Sequence, residues 1–394
     1  MHHLTIVQKT LSSVIHAKRL RSLNEMVNAS FVAESLTVTQ LGRALASDCL
    51  SERSGIRKSD RFLSNPKLHD EYPLICHRLC RFLISDSASP WILVDWTKMP
   101  HKNYHVLRAS LVADGRAITL YEEIHDESKL NSPKVNKEFL RQLKMILPQN
   151  CKPIVVTDAG FGVSWFKDVL KQNWDYVGRV RGNSYYSKQD DSWLKCSDLK
   201  DIATKTPKYI GAIYLTKTHS FNTNLYTIKN PPKGRHALNK AGKIRKDSNS
   251  KSKSKAATEP LTVVTSLTHN STMTNKVIKI YQARMQIEEA IRDLKSTKYG
   301  LGFEHMMSYK PKRILMLLMV AMIVAFIAYF TGMIAESKNL HLKFQANTIK
   351  HRRVLSLFYL GRRIIKKSIK EKNYLTLLNN IININSQFLL GDSV

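Results

Sequence analysis

Three carboxylates in this basic sequence stand where a fold can hold them rigidly. Asp95 follows the apolar run Ile92-Leu93-Val94, and Asp158 ends Ile154-Val155-Val156-Thr157 just ahead of Ala159-Gly160. Glu288 lies inside "YQARMQIEEAIRDLKS", residues 281–296. Carboxylates that converge repel one another unless a cation neutralises them, and the usual one is a hard divalent ion that takes oxygen ligands. Two Mg²⁺ ions about 4 Å apart activate an attacking oxygen and stabilise a leaving one in phosphodiester chemistry. The plainer reading of either aspartate is a turn residue at a strand end.

The stretch at 281–296 holds two consecutive glutamates, so the helix face of each decides its role. For one helix advancing about 100° per residue, Tyr281, Arg284, Glu288 and Lys295 share a stripe about 60° wide. Ala283, Ile287, Ala290, Ile291 and Leu294 cluster beside that stripe as the buried face. Gln282, Gln286, Glu289 and Asp293 fall on a face expected to meet water. Glu288 is therefore the candidate functional carboxylate and Glu289 a solvated one.

The elements that must position these residues can be read along the chain. "WILVDW" (91–96) and "KPIVVTDAGF" (152–161) suit buried strands, each ending at or near an aspartate. Strand ends of an α/β sheet are where such folds place their sites. "YHVLRASLVADGRAITLYEEI" (104–124) reads as a hairpin turning at Asp114-Gly115. Helices are expected over 133–147, opened by Pro133, and over 164–173, with a strand over 175–182. Arg179 and Arg181 end that strand. The order implies an α/β core with a mixed sheet. Residues 183–262 break it with short β-like runs (209–215, 223–229) and a basic tract, 233–255, carrying nine Lys or Arg against Asp247. Such a tract is expected to be a flexible loop that can at most lie along phosphates.

Residues 1–88 read as helices with basic surfaces. "LTVTQLGRALAS" (36–47), capped by Thr37 or Thr39, precedes "GIRKSDRFLSNPKL" (55–68), where Arg57, Lys58 and Arg61 sit within two turns. A short helix, a turn and a basic helix form a helix-turn-helix pattern that suits DNA. A basic helical region, 341–394, closes the chain and includes 350–372.

Composition narrows the partner. Lys and Arg total 62 against 31 Asp and Glu, a formal charge of +31, which favours polyanions and above all nucleic acid. The five cysteines (49, 76, 80, 151, 196) are odd in number and irregular in spacing, which argues for a reducing compartment. The first residues lack a signal-peptide core. Residues 314–335 run without a charge, so hydropathy allows a membrane span. A helix buried on all sides in a large core has the same composition.

These motifs together carry a resemblance. "LVDW", "VTDAGF" and "YQARMQIEEAIRDLKS" resemble the signatures of DDE transposases of the cut-and-paste insertion sequence family four. That family's spacing of Tyr, two residues, Arg, three, Glu, six, Lys is met by Tyr281, Arg284, Glu288 and Lys295. Weaker similarity runs from "LTVTQLGRAL" to "FQANT". The resemblance implies an RNase H-like core in two parts (89–182 and 263–340) with a β-rich insertion (183–262). A helical DNA-binding domain (1–88) would precede it and a dimerising C-terminal region (341–394) would follow. It implies that Asp95, Asp158 and Glu288 hold two Mg²⁺ ions, with Mn²⁺ as a substitute. Tyr281, Arg284 and Lys295 would contact phosphates near the cut, joined by Arg179 and Arg181. The implied reaction is cleavage at terminal inverted repeats through a hairpin, then strand transfer into target DNA, by a homodimer on paired ends. The implied setting is the bacterial cytoplasm at the nucleoid, without a membrane. An inactive element-derived DNA binder is the competing reading. One departure is Leu261, which follows Glu259-Pro260 where relatives carry a Trp that stacks on a flipped base; base stacking is worth about 1–3 kcal/mol.

Overall fold

The computed structural model describes residues 4–100, 103–188, 192–229, 243–244, 247–248, 259–346 and 348–370. Most of the basic tract at 233–255 and all of 371–394 lie outside the described residues. The chain divides into two units, the first made of residues 1–153 and 285–394, the second of 154–284.

In the first unit, Trp91–Lys98 (β1), Tyr104–Leu111 (β2) and Ile118–Asp126 (β3) form an antiparallel sheet in the order β3-β2-β1. The expected hairpin turn forms, with Gly115 at φ +73°, a conformation that a side chain disfavours. The register aligns Asp95 with Arg108 and Arg108 with Glu122, so the three side chains share one sheet face. Arg108 and Glu122 are 4% and 1% exposed, and their side chains pair at 2.6 Å.

Five helices precede the sheet: Thr5–Leu11 (α1), Ala17–Val32 (α2), Val38–Ala44 (α3), Glu52–Leu63 (α4) and Pro66–Leu83 (α5). Thr37 is the cap of α3, its hydroxyl accepting from the Gln40 N–H at 3.2 Å. The basic stretch at 55–68 is not one helix. α4 stops at Leu63, and Asn65 caps α5, accepting from the Leu68 N–H. α3 and α4 meet at glycines; a Cβ on Gly55 would stand 2.2 Å from the Gly42 carbonyl oxygen. Pro133–Ile146 (α6) follows the hairpin.

The second unit carries a seven-strand run: Ile154–Thr157 (β4), Asp175–Arg179 (β5), Tyr185–Ser187 (β6), Leu194–Lys195 (β7), Lys208–Leu215 (β8), Phe221–Ile228 (β9) and Leu261–Thr265 (β10). Their order is β4-β5-β10-β9-β8-β6-β7. β4 and β5 are parallel and the pairs beyond them are antiparallel, so the sheet is mixed. Val163–Lys171 (α7) and Met273–Gln282 (α8) pack on it. The short β-like runs at 209–215 and 223–229 form β8 and β9, which join this sheet through β10.

Met285–Lys295 (α9), Pro311–Ser337 (α10) and Leu357–Lys370 (α11) return to the first unit. α10 is long and apolar enough to cross a membrane, yet 89% of its most apolar window is buried inside the protein. It packs against α2, α4, α5, β3 and α11. At the last contact, a Cβ on Gly361 would lie 1.8 Å from the Ala328 carbonyl oxygen. α10 is a core helix here, and the α/β class expected from the sequence is the one observed.

Candidate active site

The stretch at 281–296 is two helices, not one. α8 ends at Gln282, and α9 begins at Met285. At the break the Arg284 N–H bonds to the Tyr281 carbonyl at 3.0 Å. Neither Gly nor Pro marks this place. The unit boundary falls between Arg284 and Met285, so Tyr281 and Arg284 belong to the second unit and Glu288 and Lys295 to the first. The single helical stripe through all four is therefore corrected: the 100° rule holds only within 285–295.

In the first unit, Asp95 is half-buried on β1, its Oδ1 accepting the Trp96 N–H at 2.9 Å. α9 runs along the same sheet. Near its start Gln286 bonds the β2–β3 turn, and at its end the Lys295 Nζ donates to the Lys98 carbonyl at 3.1 Å. Counting back from that contact, Asp95 is three strand residues away, about 10 Å. Glu288 is seven helix residues away, about 10 Å as well. Asp95 and Glu288 thus lie on the two elements, β1 and α9, that this contact joins. Burial, and then the charge of Arg108, lowers the pKa of the Lys295 ammonium.

Contrary to the expectation, Asp293 is buried and Glu289 only partly exposed. Arg116, just past the hairpin turn, pairs with Asp293 at 2.7 Å and with Glu289 at 3.5 Å. Gln286 joins them, its Oε1 accepting the Ala113 N–H at 2.9 Å. Burial pushes the Asp293 carboxyl up from its ordinary value, and Arg116 opposes it. The polar face of α9 is polar because it docks on a polar turn.

In the second unit, Asp158 follows β4, its Oδ1 accepting the Gly160 N–H at 2.8 Å. Arg179 ends the adjacent parallel strand, and the Arg181 Nε donates to the Ala159 carbonyl at 3.1 Å. Tyr281 is buried, which raises its pKa; Arg284 and Arg179 act against that and Asp158 with it. The Arg284 guanidinium lies 6.0 Å from the Tyr281 ring centroid. The Arg179 Nε is buried with no hydrogen-bond partner among the described residues. A strand-end carboxylate, two guanidiniums and a protonated phenol are thus gathered around one place. They suit an anion with phosphate geometry beside a cation.

The remaining expected residues lie on α4. Arg57 and Arg61 are exposed, one turn apart, and Arg53 extends their line. Lys58 is half-buried and paired with Glu25 at 2.8 Å. Arg53 can be found by counting four back from Arg57. Arg116 and Asp293 give no such signal, because their pairing spans 177 residues.

Asp95, Asp158 and Glu288 offer hard oxygen donors, which suit a hard divalent cation. Each aspartate has one oxygen fixed by a neighbouring main-chain N–H. Among the described residues no group of three or more His, Cys, Asp or Glu is gathered as a metal cluster. The donor chemistry fits the ion, with Asp95 and Glu288 in the first unit and Asp158 in the second.

No curated protein matches this sequence. One similar solved structure is a cryo-EM structure of the piggyBac transposase synaptic complex with hairpin DNA. It is 12% identical, the match covers 93% of this chain and 76% of that one, and the TM-score is 0.45. A family model for the transposase DDE domain matches residues 87–327, a span that contains all three candidate carboxylates. With well over half of its length in that match, the chain belongs to the transposase DDE-domain family.

Proposed function

We propose that this transposase is a cut-and-paste enzyme of insertion sequence family four that acts on the terminal inverted repeats of its own element. The observation that carries the reading is the family match over 87–327, which spans Asp95 within β1, Asp158 after β4, and the Tyr281, Arg284, Glu288, Lys295 spacing. Asp95, Asp158 and Glu288 would hold divalent cations, two Mg²⁺ with Mn²⁺ as a substitute. Bound there, the ions supply activation of an attacking oxygen and stabilisation of a leaving one.

The chain's own residues bind and orient the DNA. Arg179 and Arg284 offer forked donors to a phosphate, and Tyr281 keeps its proton because burial raises its pKa, so it donates. Lys295 adds a charge from α9, and Arg181 one from the strand-end loop. Arg57 and Arg61 would read a DNA groove from α4, while Lys58 serves by pairing with Glu25. Cleavage frees a 3′-hydroxyl that attacks the opposite strand to close a hairpin. Water reopens it, and the 3′-hydroxyl joins target DNA. Leu261 begins β10 opposite Ile228 and offers no aromatic face to a flipped base, so hairpin closure rests on other residues here. The working form is a homodimer on paired ends, in the cytoplasm at the nucleoid. The burial of α10 supports a place away from the membrane.

The test is incubation of the purified chain with Mg²⁺ and DNA carrying the element's ends, read on denaturing gels. Metal-dependent nicks at the ends and hairpin-length products are expected. Binding to the ends without any cleavage would replace this reading with the inactive DNA binder.

A further inference from the structure

The turn joining β2 to β3 is held on two sides. From the core, the Tyr329 hydroxyl on α10 accepts the Asp114 N–H at 2.7 Å, and the Arg353 Nη2 pairs with the Asp114 Oδ2 at 2.6 Å. From the other side the turn grips α9. The Ala113 N–H donates to the Gln286 Oε1 at 2.9 Å, and the Ala117 N–H to the Gln286 carbonyl at 3.3 Å. Arg116 reaches Asp293 at 2.7 Å and Glu289 at 3.5 Å. These three helix residues occupy one face of α9. Glu288 lies roughly 130° around the helix from them.

Such a grip does more than add stability. The hairpin is continuous with β1 through the β1–β2 register, and β1 carries Asp95. A helix pinned to the turn at one end and to Lys98 at the other cannot rotate or slide along the sheet without breaking these bonds. Arg116 is partly buried, with 23% of its side chain exposed, and its guanidinium engages two carboxylates, a geometry lysine cannot reproduce in full. Glu289 also pairs with Arg292 at 2.7 Å, so the Arg116–Asp293 bond is the one without a local substitute.

We infer that Arg116, through Asp293 and Glu289, is a positioning residue that sets Glu288 relative to Asp95 for metal binding. The inference rests on the proposed assignment of those two carboxylates. Groups that orient metal ligands cost about 10–100-fold in metal affinity when removed.

The experiment measures Mn²⁺ binding to the full chain without DNA, by loss of the free-ion EPR signal, and end cleavage at several Mn²⁺ concentrations. It compares wild type, Arg116→Gln, Arg116→Lys, Glu288→Gln and Arg353→Gln. The last removes the ion pairs of Arg353 with Asp114 in the same turn and with Glu336 on α10 without touching α9, so it reports the cost of loosening the turn and its support while α9 stays gripped. Arg116→Gln should weaken Mn²⁺ binding at least tenfold and shift cleavage to higher Mn²⁺, with end-DNA binding retained. Arg116→Lys should recover part of the loss, and Arg353→Gln should bind Mn²⁺ as wild type does. If wild type binds Mn²⁺ and cleaves, Glu288→Gln does neither, and Arg116→Gln matches wild type, the positioning role is overturned and the proposed function stands. An equal loss in Arg353→Gln also overturns it, because any loosening of the turn would then suffice. If wild type neither binds Mn²⁺ nor cleaves, the proposed function fails and takes this inference with it.

Discussion

Removing the Glu122 carboxylate exposes the energetics of the sheet that carries Asp95. Glu122 is 1% exposed and accepts from Arg108, itself 4% exposed, at 2.6 and 2.7 Å. At an effective dielectric near 20, charges that close attract by about 6 kcal/mol. Desolvation of both ions, several kcal/mol each, largely cancels the gain, so the intact pair contributes little net stability. Glu122→Gln is another matter, because Arg108 is left charged and buried beside Asp95 with a neutral partner. Breaking one side of a buried pair costs about 3–5 kcal/mol. For a domain of this size that is a fall in Tm of roughly 6–20 °C. Arg108→Met combined with Glu122→Leu removes both charges and should recover most of the loss. Thermal unfolding of the three variants reads this directly. A single variant within about 2 °C of wild type would refute the argument, as would a double variant no better than the single.

Three further outcomes follow from named contacts. A Cβ at Gly178 would stand 2.4 Å from the Phe166 ring, so Gly178→Ala should destabilise by about 1–3 kcal/mol, measured by denaturant titration, with Phe166→Leu relieving part of it. Lys295 has a folded pKa lowered by burial and by Arg108, so its ammonium opposes folding below that pKa, and the penalty fades as pH rises toward the unfolded value. Lys295→Met removes that penalty together with the bond to the Lys98 carbonyl, so its Tm relative to wild type should fall as pH rises toward about 10.5, while end-DNA binding weakens and its salt slope drops by about one. On α4, Arg57→Gln or Arg61→Gln should likewise weaken DNA binding with a smaller salt slope. Lys58→Gln, which breaks only a partly exposed pair with Glu25, should leave DNA binding unchanged and cost under about 1 kcal/mol of stability.

Much of the fold is legible in the sequence because it rests on local rules. The apolar runs before Asp95 and Asp158 are strands, and Asp114-Gly115 is the turn. Counting outward from Asp114-Gly115 pairs Ser110 with Thr119, but a bulge between Ser110 and Ala109 shifts the register by one, so the Arg108–Glu122 pair escapes such arithmetic. What escapes such rules depends on distant partners. Glu289 and Asp293 look solvated until Arg116 arrives from far along the chain. The local pattern around Lys58 likewise gives no sign of the ion pair it makes with Glu25. The break at Ala283-Arg284 has no helix breaker to announce it. β8 and β9 read as an interruption because strand pairing with β10 is non-local.

The site rests on three carboxylates, and the most direct measurement takes them one at a time. Asp95→Asn, Asp158→Asn and Glu288→Gln, with Glu289→Gln as the comparison, would be assayed for binding and for Mg²⁺-dependent cleavage of the element's ends. Each of the first three should bind the ends as wild type does and show no detectable cleavage. Glu289→Gln, which loses a docking contact and no metal ligand, should cleave measurably. Wild-type cleavage by any one of the first three would contradict the account.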